Sequence, residues 1–67
     1  MPLITVELWE GRGVEEKKRL AKGITNVVTD NIKCPESAVT VIFRDVPMHN
    51  WAIGGQLASE TFKGKVV

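Results

Sequence analysis

The stretch that decides the fold is PLITVELW, residues 2–9. Apolar and polar side chains alternate along it, with Ile4, Val6 and Leu8 on one face and Thr5 and Glu7 on the other. A period of two is typical of a β-strand that buries one face only. Pro2 is tolerated because the first residue of a strand need not donate a hydrogen bond to its neighbour. The pattern therefore predicts a strand over residues 2–9.

A long amphipathic helix is predicted from Val14 to about Lys33. Apolar residues recur there at spacings of three and four: Leu20, Ala21, Ile24, Val27, Val28 and Ile32. This spacing is that of a helix of about five turns with one apolar face. Gly13 is an acceptable N-cap, and Pro35 prevents the helix from continuing. Gly23 costs about 1 kcal/mol relative to alanine inside a helix, so we expect a close packing contact there.

The segment Ala38–Val46 is rich in β-branched residues and predicts a second strand. Its alternation places Val39, Val41 and Phe43 on one face, and Thr40, Ile42 and Arg44 on the other. A strand, a crossover helix and a second strand form a right-handed βαβ unit with parallel strands. The tail Pro47–Val67 contains Gly54-Gly55, which suits a loop or a short hairpin. The predicted fold class is therefore α/β, a βαβ subunit with one long helix and a short C-terminal hairpin.

The chain is too short to bury a large core alone. At 67 residues, a monomer buries only about 60% of the surface that its unfolded chain exposes. Cys34 is the only cysteine, so no internal disulfide can form. Cys34 and His49 together cannot complete a structural zinc site, which takes four ligands. Among the usual reinforcements of a short chain, self-association is the one that remains.

Composition and motifs argue against several classes of function. The formal net charge is +1, whereas nucleic-acid-binding proteins typically carry a strongly basic face. No apolar run approaches the ~20 residues of a membrane span, and the first residues do not resemble a signal peptide. The turn Gly11-Arg12-Gly13 lacks the third glycine of a dinucleotide-binding loop. We therefore expect a cytoplasmic protein that binds no nucleic acid, membrane, metal or nucleotide cofactor.

The second residue offers an unusual chemical group. Removal of Met1 is routine before a residue as small as Pro2, and it leaves a secondary amine at the chain's start. Such an amine can act as a base if an apolar pocket or a nearby cation such as Arg12 lowers its pKa. The other interpretation of a Met-Pro start is a processed terminus without a function.

Motifs spread along the chain resemble the 4-oxalocrotonate tautomerase family. They are Met-Pro at the head of a strand, Glu10-Gly11-Arg12, EEKKRL at 15–20, Ala38-Val39, and WAIGGQLAS at 51–59. The resemblance implies a single tautomerase-like domain over residues 1–67, in which residues 60–67 match no motif and form a flexible tail or an interface. It also implies dimers with a four-stranded sheet and a homohexamer of three dimers, with a homodimer as the alternative.

The same resemblance implies a cofactor-free isomerase. Its reaction is enol–keto tautomerisation of a small unsaturated 2-oxo acid such as 2-hydroxymuconate, as in the catabolism of aromatic compounds. Pro2 matches the family's general base, and Arg12 matches the arginine that binds a substrate carboxylate. Trp51 stands where the family has a phenylalanine that keeps the proline's surroundings apolar. Trp9 stands where a backbone amide faces the substrate.

Thr40 departs from the family pattern, because the family has a second arginine there. A threonine offers one neutral hydrogen bond in place of a bidentate ion pair, so we expect a substrate with one carboxylate or a poor rate on the diacid. Arg44 lies on the same strand face, but four residues at ~3.3 Å each place it about 13 Å away. An arginine from a neighbouring chain is the remaining substitute.

Two other functions compete with the tautomerase. Thr40 is compatible with a non-catalytic oligomeric binding module that keeps the fold. A hydratase or decarboxylase acting on a small 3-oxo acid is the other alternative. No Asp or Glu lies between Met48 and Gly55 to activate water, which disfavours dehalogenation.

Overall fold

The computed structural model describes residues 1–62, and it forms a strand, a long helix, a second strand and a short hairpin. The elements are β1 (Leu3–Trp9), α1 (Val14–Ile32), β2 (Thr40–Val46), β3 (Ala52–Ile53), β4 (Gln56–Leu57) and α2 (Ala58–Thr61). β1 pairs with β2 in parallel, and β3 pairs with β4 antiparallel. The predicted βαβ fold with a C-terminal hairpin is confirmed. A tail was predicted over residues 60–67. Residues 60–61 form the last part of α2, and residues 63–67 lie outside the described residues.

The second strand begins later than predicted, at Thr40 instead of Ala38. Residues Glu36–Ala38 form a 3₁₀ turn, in which the Ala38 N–H donates to the Pro35 carbonyl at 3.0 Å. This turn occupies the backbone groups that a longer strand needs. Pairing with β1 starts where the Thr40 N–H donates to the Pro2 carbonyl, at 3.0 Å.

The boundaries of α1 follow local signals in the sequence. Gly13 is the N-cap, and its N–H donates to the Glu16 side chain at 3.1 Å. At the other end Lys33 adopts the left-handed conformation and donates its N–H to the Thr29 carbonyl at 2.9 Å. The expected close contact at Gly23 is wrong within the subunit, because a Cβ there would meet nothing within 4 Å. The helix is open to solvent at that position.

The sheet has one half-buried face and one exposed face. The register sets Ile4 beside Val41 and Val6 beside Phe43, and these side chains are half-buried. Lys17 of α1 contacts Asp45 on this side, so the helix covers it. The other face ends at the half-buried pair Trp9 and Val46, and its remaining residues are exposed. We call this exposed part the open sheet face: Leu3, Thr5, Glu7, Thr40, Ile42 and Arg44.

Very little of the described chain is fully buried. Ala58 is the one apolar residue of 1–62 in that class, at 1% exposure. Large apolar side chains such as Val27 and Ile53 are more than half exposed. The single subunit therefore leaves in water much of the surface that normally forms a core. Within residues 1–62, no helix combines the length and apolar character needed to cross a membrane.

An ion pair between Lys17 and Asp45 ties α1 to β2, with N–O distances of 2.9 Å. Both side chains are partly exposed, so solvent screening limits its contribution. We expect Asp45→Asn to lower the free energy of unfolding by about 0.5–1 kcal/mol in urea titrations at fixed protein concentration.

Glu15→Gln is the matched control, because it removes the looser 3.7 Å pair with Lys18, which is mostly exposed. It should leave the unfolding midpoint unchanged. Equal losses in both variants would show that the Lys17–Asp45 contact has no specific role.

Candidate active site

Two of the predicted site residues, Pro2 and Thr40, meet at the amino end of the sheet. The Thr40 N–H donates to the Pro2 carbonyl at 3.0 Å, which fixes the two backbones side by side. Pro2 is half-buried and Thr40 is exposed. With Met1 attached, the Pro2 nitrogen is an amide and has no basicity. We call Pro2 and Thr40 the amino-end group.

The other three, Trp9, Arg12 and Trp51, lie at the carboxyl end of β1, and we call them the carboxyl-end group. The rings of Trp9 and Trp51 pack edge to face, with centroids 5.8 Å apart. The backbone holds Trp51 in place, because its carbonyl accepts the Ala58 N–H at 2.7 Å. This arrangement makes an aromatic wall at the carboxyl end of β1, and Arg12 follows in the turn between β1 and α1.

Phe62 extends the aromatic wall, and sequence reasoning missed it. Its ring centroid lies 5.1 Å from that of Trp9. Phe62 comes after the last motif residue, Ser59, and no spacing in the sequence relates it to Trp9. Only the turn of α2 brings it back to the strand.

No Asp or Glu side chain among residues 1–62 neutralises the positive charge of the Arg12 guanidinium. It follows Gly11, whose φ of 112° favours glycine, and it is half-buried in a groove beside Leu8 and Leu20. The neighbouring Lys17 is paired with Asp45, and the Glu16 carboxylate accepts the Gly13 N–H. Among residues 1–62, the Arg12 guanidinium has no carboxylate within 4 Å. It is therefore available to an anion from outside the subunit.

The buried indole N–H of Trp9 finds no hydrogen-bond acceptor among the described residues. A buried donor left without a partner costs about 1–3 kcal/mol. An acceptor from outside residues 1–62 would satisfy this N–H.

The two groups lie too far apart to act together in one subunit. Trp9 follows Pro2 by seven residues of extended strand at ~3.3 Å each, which separates them by roughly 23 Å. Trp51 and Arg12 are at the Trp9 end, so neither surrounds Pro2 of the same chain. The expectation that Arg12 lowers the pKa of the Pro2 amine therefore stays a prediction, and this geometry favours an Arg12 from a second copy.

No described residues suggest a metal site, since no cluster of three or more His, Cys, Asp or Glu side chains occurs within 1–62. Arg44 lies on the open sheet face, where its register partner is Glu7. It is four residues along β2 from Thr40 and does not replace the missing arginine in the same subunit.

Comparison with known proteins relates the chain to tautomerases. A family model described as tautomerase enzyme matches residues 2–60. A relative named "Probable tautomerase" from Streptococcus pneumoniae is 40% identical over 60 residues, which are 90% of this chain and 100% of that protein.

Solved structures show the same relationship. A 4-oxalocrotonate tautomerase isozyme from Methylibium petroleiphilum superposes with a TM-score of 0.87 at 33% identity, covering 96% of this chain and 100% of that one. A heterohexamer 4-oxalocrotonate tautomerase from Chloroflexus aurantiacus superposes with a TM-score of 0.85 at 30% identity, covering 90% and 97%.

Proposed function

The chain belongs to the 4-oxalocrotonate tautomerase family of the tautomerase superfamily, and we propose that Pro2 is the general base of its reaction. It is a tautomerase, and the proposed reaction is enol–keto tautomerisation of a small unsaturated 2-oxo acid, as in the catabolism of aromatic compounds. The half-buried Arg12, which no acid of residues 1–62 neutralises and which lies beside Leu8 and Leu20, is the observation that carries this proposal. It offers a carboxylate-binding cation next to apolar surface, which suits a planar organic acid.

The complete site is formed between subunits. Because roughly 23 Å of strand separates Pro2 from Trp9, the amino-end group of one copy works with the carboxyl-end group of another. The small buried core of the single subunit supports the same conclusion. We propose a homohexamer of three dimers with four-stranded sheets, and sedimentation distinguishes it from a homodimer.

Each residue then has a defined task. The neutral Pro2 amine takes the proton from the enol hydroxyl and returns it to a carbon of the conjugated chain, while the double bonds shift to form the ketone. Apolar surface around Trp51 of another copy disfavours the charged amine and lowers its pKa. Arg12 holds a carboxylate through two parallel hydrogen bonds. The 2-oxo group already acidifies the adjacent carbon, so the proton transfer needs no cofactor.

The test of this function is ketonisation followed by ultraviolet absorbance. We expect the purified protein to accelerate ketonisation of both phenylenolpyruvate, a monoacid, and 2-hydroxymuconate, a diacid. The monoacid should give the higher kcat/KM, because Thr40 leaves the second carboxylate without a cation. Assembled protein that turns over neither compound would favour the non-catalytic binding module, and product from a small 3-oxo acid alone would favour a hydratase or decarboxylase.

Restoring an arginine at Thr40 should change substrate preference. Charge-assisted hydrogen bonds contribute roughly 1.5–3 kcal/mol, so Thr40→Arg should raise kcat/KM for 2-hydroxymuconate by about tenfold or more. The rate on phenylenolpyruvate should change little. Thr40→Gln, a long but neutral side chain, is the control and should leave the ratio between the two substrates near its original value. An unchanged ratio in Thr40→Arg would show that Thr40 is not at the carboxylate position.

A further inference from the structure

Phe62 closes a circuit of contacts that includes both tryptophan rings. The Ala58 N–H donates to the Trp51 carbonyl at 2.7 Å, and the Phe62 N–H donates to the Ala58 carbonyl at 2.8 Å. The ring centroid of Phe62 lies 5.1 Å from that of Trp9, and the centroids of Trp9 and Trp51 are 5.8 Å apart. The path therefore runs from Trp51 through α2 to Phe62, and back through Trp9.

The residue that links the two backbone hydrogen bonds is buried. Ala58 is 1% exposed, so water competes little for these bonds. Trp9, Trp51 and Phe62 are half-buried, and each leaves part of its surface open. The backbone half of the circuit thus fixes α2 to Trp51, while the aromatic half fixes α2 to β1.

Phe62 lies just beyond residues 2–60, which the family model matches. The helix that precedes it, α2, is only four residues long, Ala58–Thr61. A helix this short gains little stability from its own hydrogen bonds and depends on tertiary contacts. An aromatic pair stabilises packing beyond the burial of its area. The contact of Phe62 with Trp9 is therefore well suited to hold the end of α2 on the sheet.

We propose that Phe62 is a positioning residue of the tautomerase reaction, which holds the Trp9 ring against Trp51 and keeps the surroundings of the base apolar. The inference rests on the proposed function, in which Trp51 of another copy lowers the pKa of the Pro2 amine. Without the Phe62 ring, Trp9 keeps only its contact with Trp51, and water enters beside the two rings. Water stabilises the charged amine, so the pKa of Pro2 rises.

Replacing Phe62 removes no charge from the surroundings of the rings. Within residues 1–62, the charged or titratable side chains on the sheet face and segments that carry the rings are Glu7, Glu10, Arg12, Arg44, His49 and Glu60. All of these except Arg12 are exposed. A changed pKa of Pro2 in a Phe62 variant therefore reports changed solvation.

The pH dependence of kcat/KM for phenylenolpyruvate tests the proposal. We expect Phe62→Ala to lower kcat/KM about tenfold at pH values below the pKa of the base, because that pKa rises by about one pH unit. Above the raised pKa the amine is neutral in both proteins, so the two rates should be similar. A variant that is merely less stable would instead lose activity by the same factor at every pH.

Conservative variants and a neighbouring substitution are the controls. Phe62→Tyr keeps an aromatic ring and should retain the wild-type profile. Thr61→Ala removes the 3.5 Å side-chain contact between α2 and Gln56 without touching the rings, so its profile should not shift. In a Trp9→Leu background Phe62→Ala should have no further effect, since Phe62 acts through Trp9. Circular dichroism verifies folding, and if Phe62→Ala does not fold, Phe62→Leu replaces it, with a smaller expected shift.

A ¹⁵N NMR titration of the Pro2 nitrogen measures the same pKa without turnover. A wild type that is inactive, or no more active than Pro2→Ala, would refute the proposed function, and the titration would still decide whether Phe62 tunes the amine. An active wild type whose Pro2 pKa is unchanged in the folded Phe62 variant would overturn this inference alone. A loss of activity that is uniform over pH, or an equal shift in Thr61→Ala, would also overturn it.

Discussion

Replacing Pro2 with alanine is expected to lower kcat/KM for phenylenolpyruvate by about 10²- to 10⁴-fold, the usual contribution of a positioned general base. Alanine retains an amino-terminal amine, but a primary amine on a freely rotating backbone is neither held nor tuned like the ring nitrogen of proline. The measurement is ketonisation by ultraviolet absorbance, at pH values on both sides of neutrality.

Pro35→Ala is the matched control, because Pro35 lies between α1 and the 3₁₀ turn and belongs to neither site group. Its kcat/KM should stay near that of the wild type. Equal rates for the wild type and Pro2→Ala would remove Pro2 from the mechanism, whatever the family resemblance.

Mixing two inactive variants should restore activity. Arg12→Ala loses the carboxylate-binding cation, and Pro2→Ala loses the base, so each homogeneous protein should be nearly inactive. If every site takes Pro2 and Arg12 from different subunits, random co-assembly of equal amounts makes about one quarter of the sites intact. Unfolding the two variants together, refolding them and assaying the mixture would measure this recovery.

Two variants that damage the same group serve as the control for mixing. Pro2→Ala refolded with Pro2→Gly should recover nothing, since no site regains the proline. If the Pro2→Ala and Arg12→Ala mixture co-assembles but stays inactive, the two residues do not come from different subunits, and the composite site is wrong.

Local signals in the sequence predicted most of the fold. The alternation in β1 and the N-cap at Gly13 act through adjacent residues, so they can be recognised without tertiary information. The start of β2 was misplaced because Ala38 ends the 3₁₀ turn Glu36–Ala38, and the backbone hydrogen bonds of that turn have no signature in the side-chain pattern. The prediction for Gly23 failed because nothing in the described chain lies within 4 Å of a Cβ built there.

The sequence predicted which residues belong to the candidate site, but not how those residues are arranged in space. Motifs identified Pro2 and Arg12, but the expectation of Arg12 as a nearby cation did not use the length of β1, which separates the two residues. The contact of Phe62 with Trp9 joins distant parts of the chain and has no signature in spacing or composition. The contacts that we propose to complete the site lie between copies, and such contacts leave no local pattern in the sequence of one chain.

The proposed mechanism requires the nitrogen of Pro2 to be a free amine in the working enzyme. Intact-mass spectrometry of the purified, catalytically active protein tests this directly. We expect the mass of a chain that starts at Pro2, without Met1. An active preparation in which Met1 remains attached would contradict it, because the nitrogen would then be an amide that cannot accept the proton.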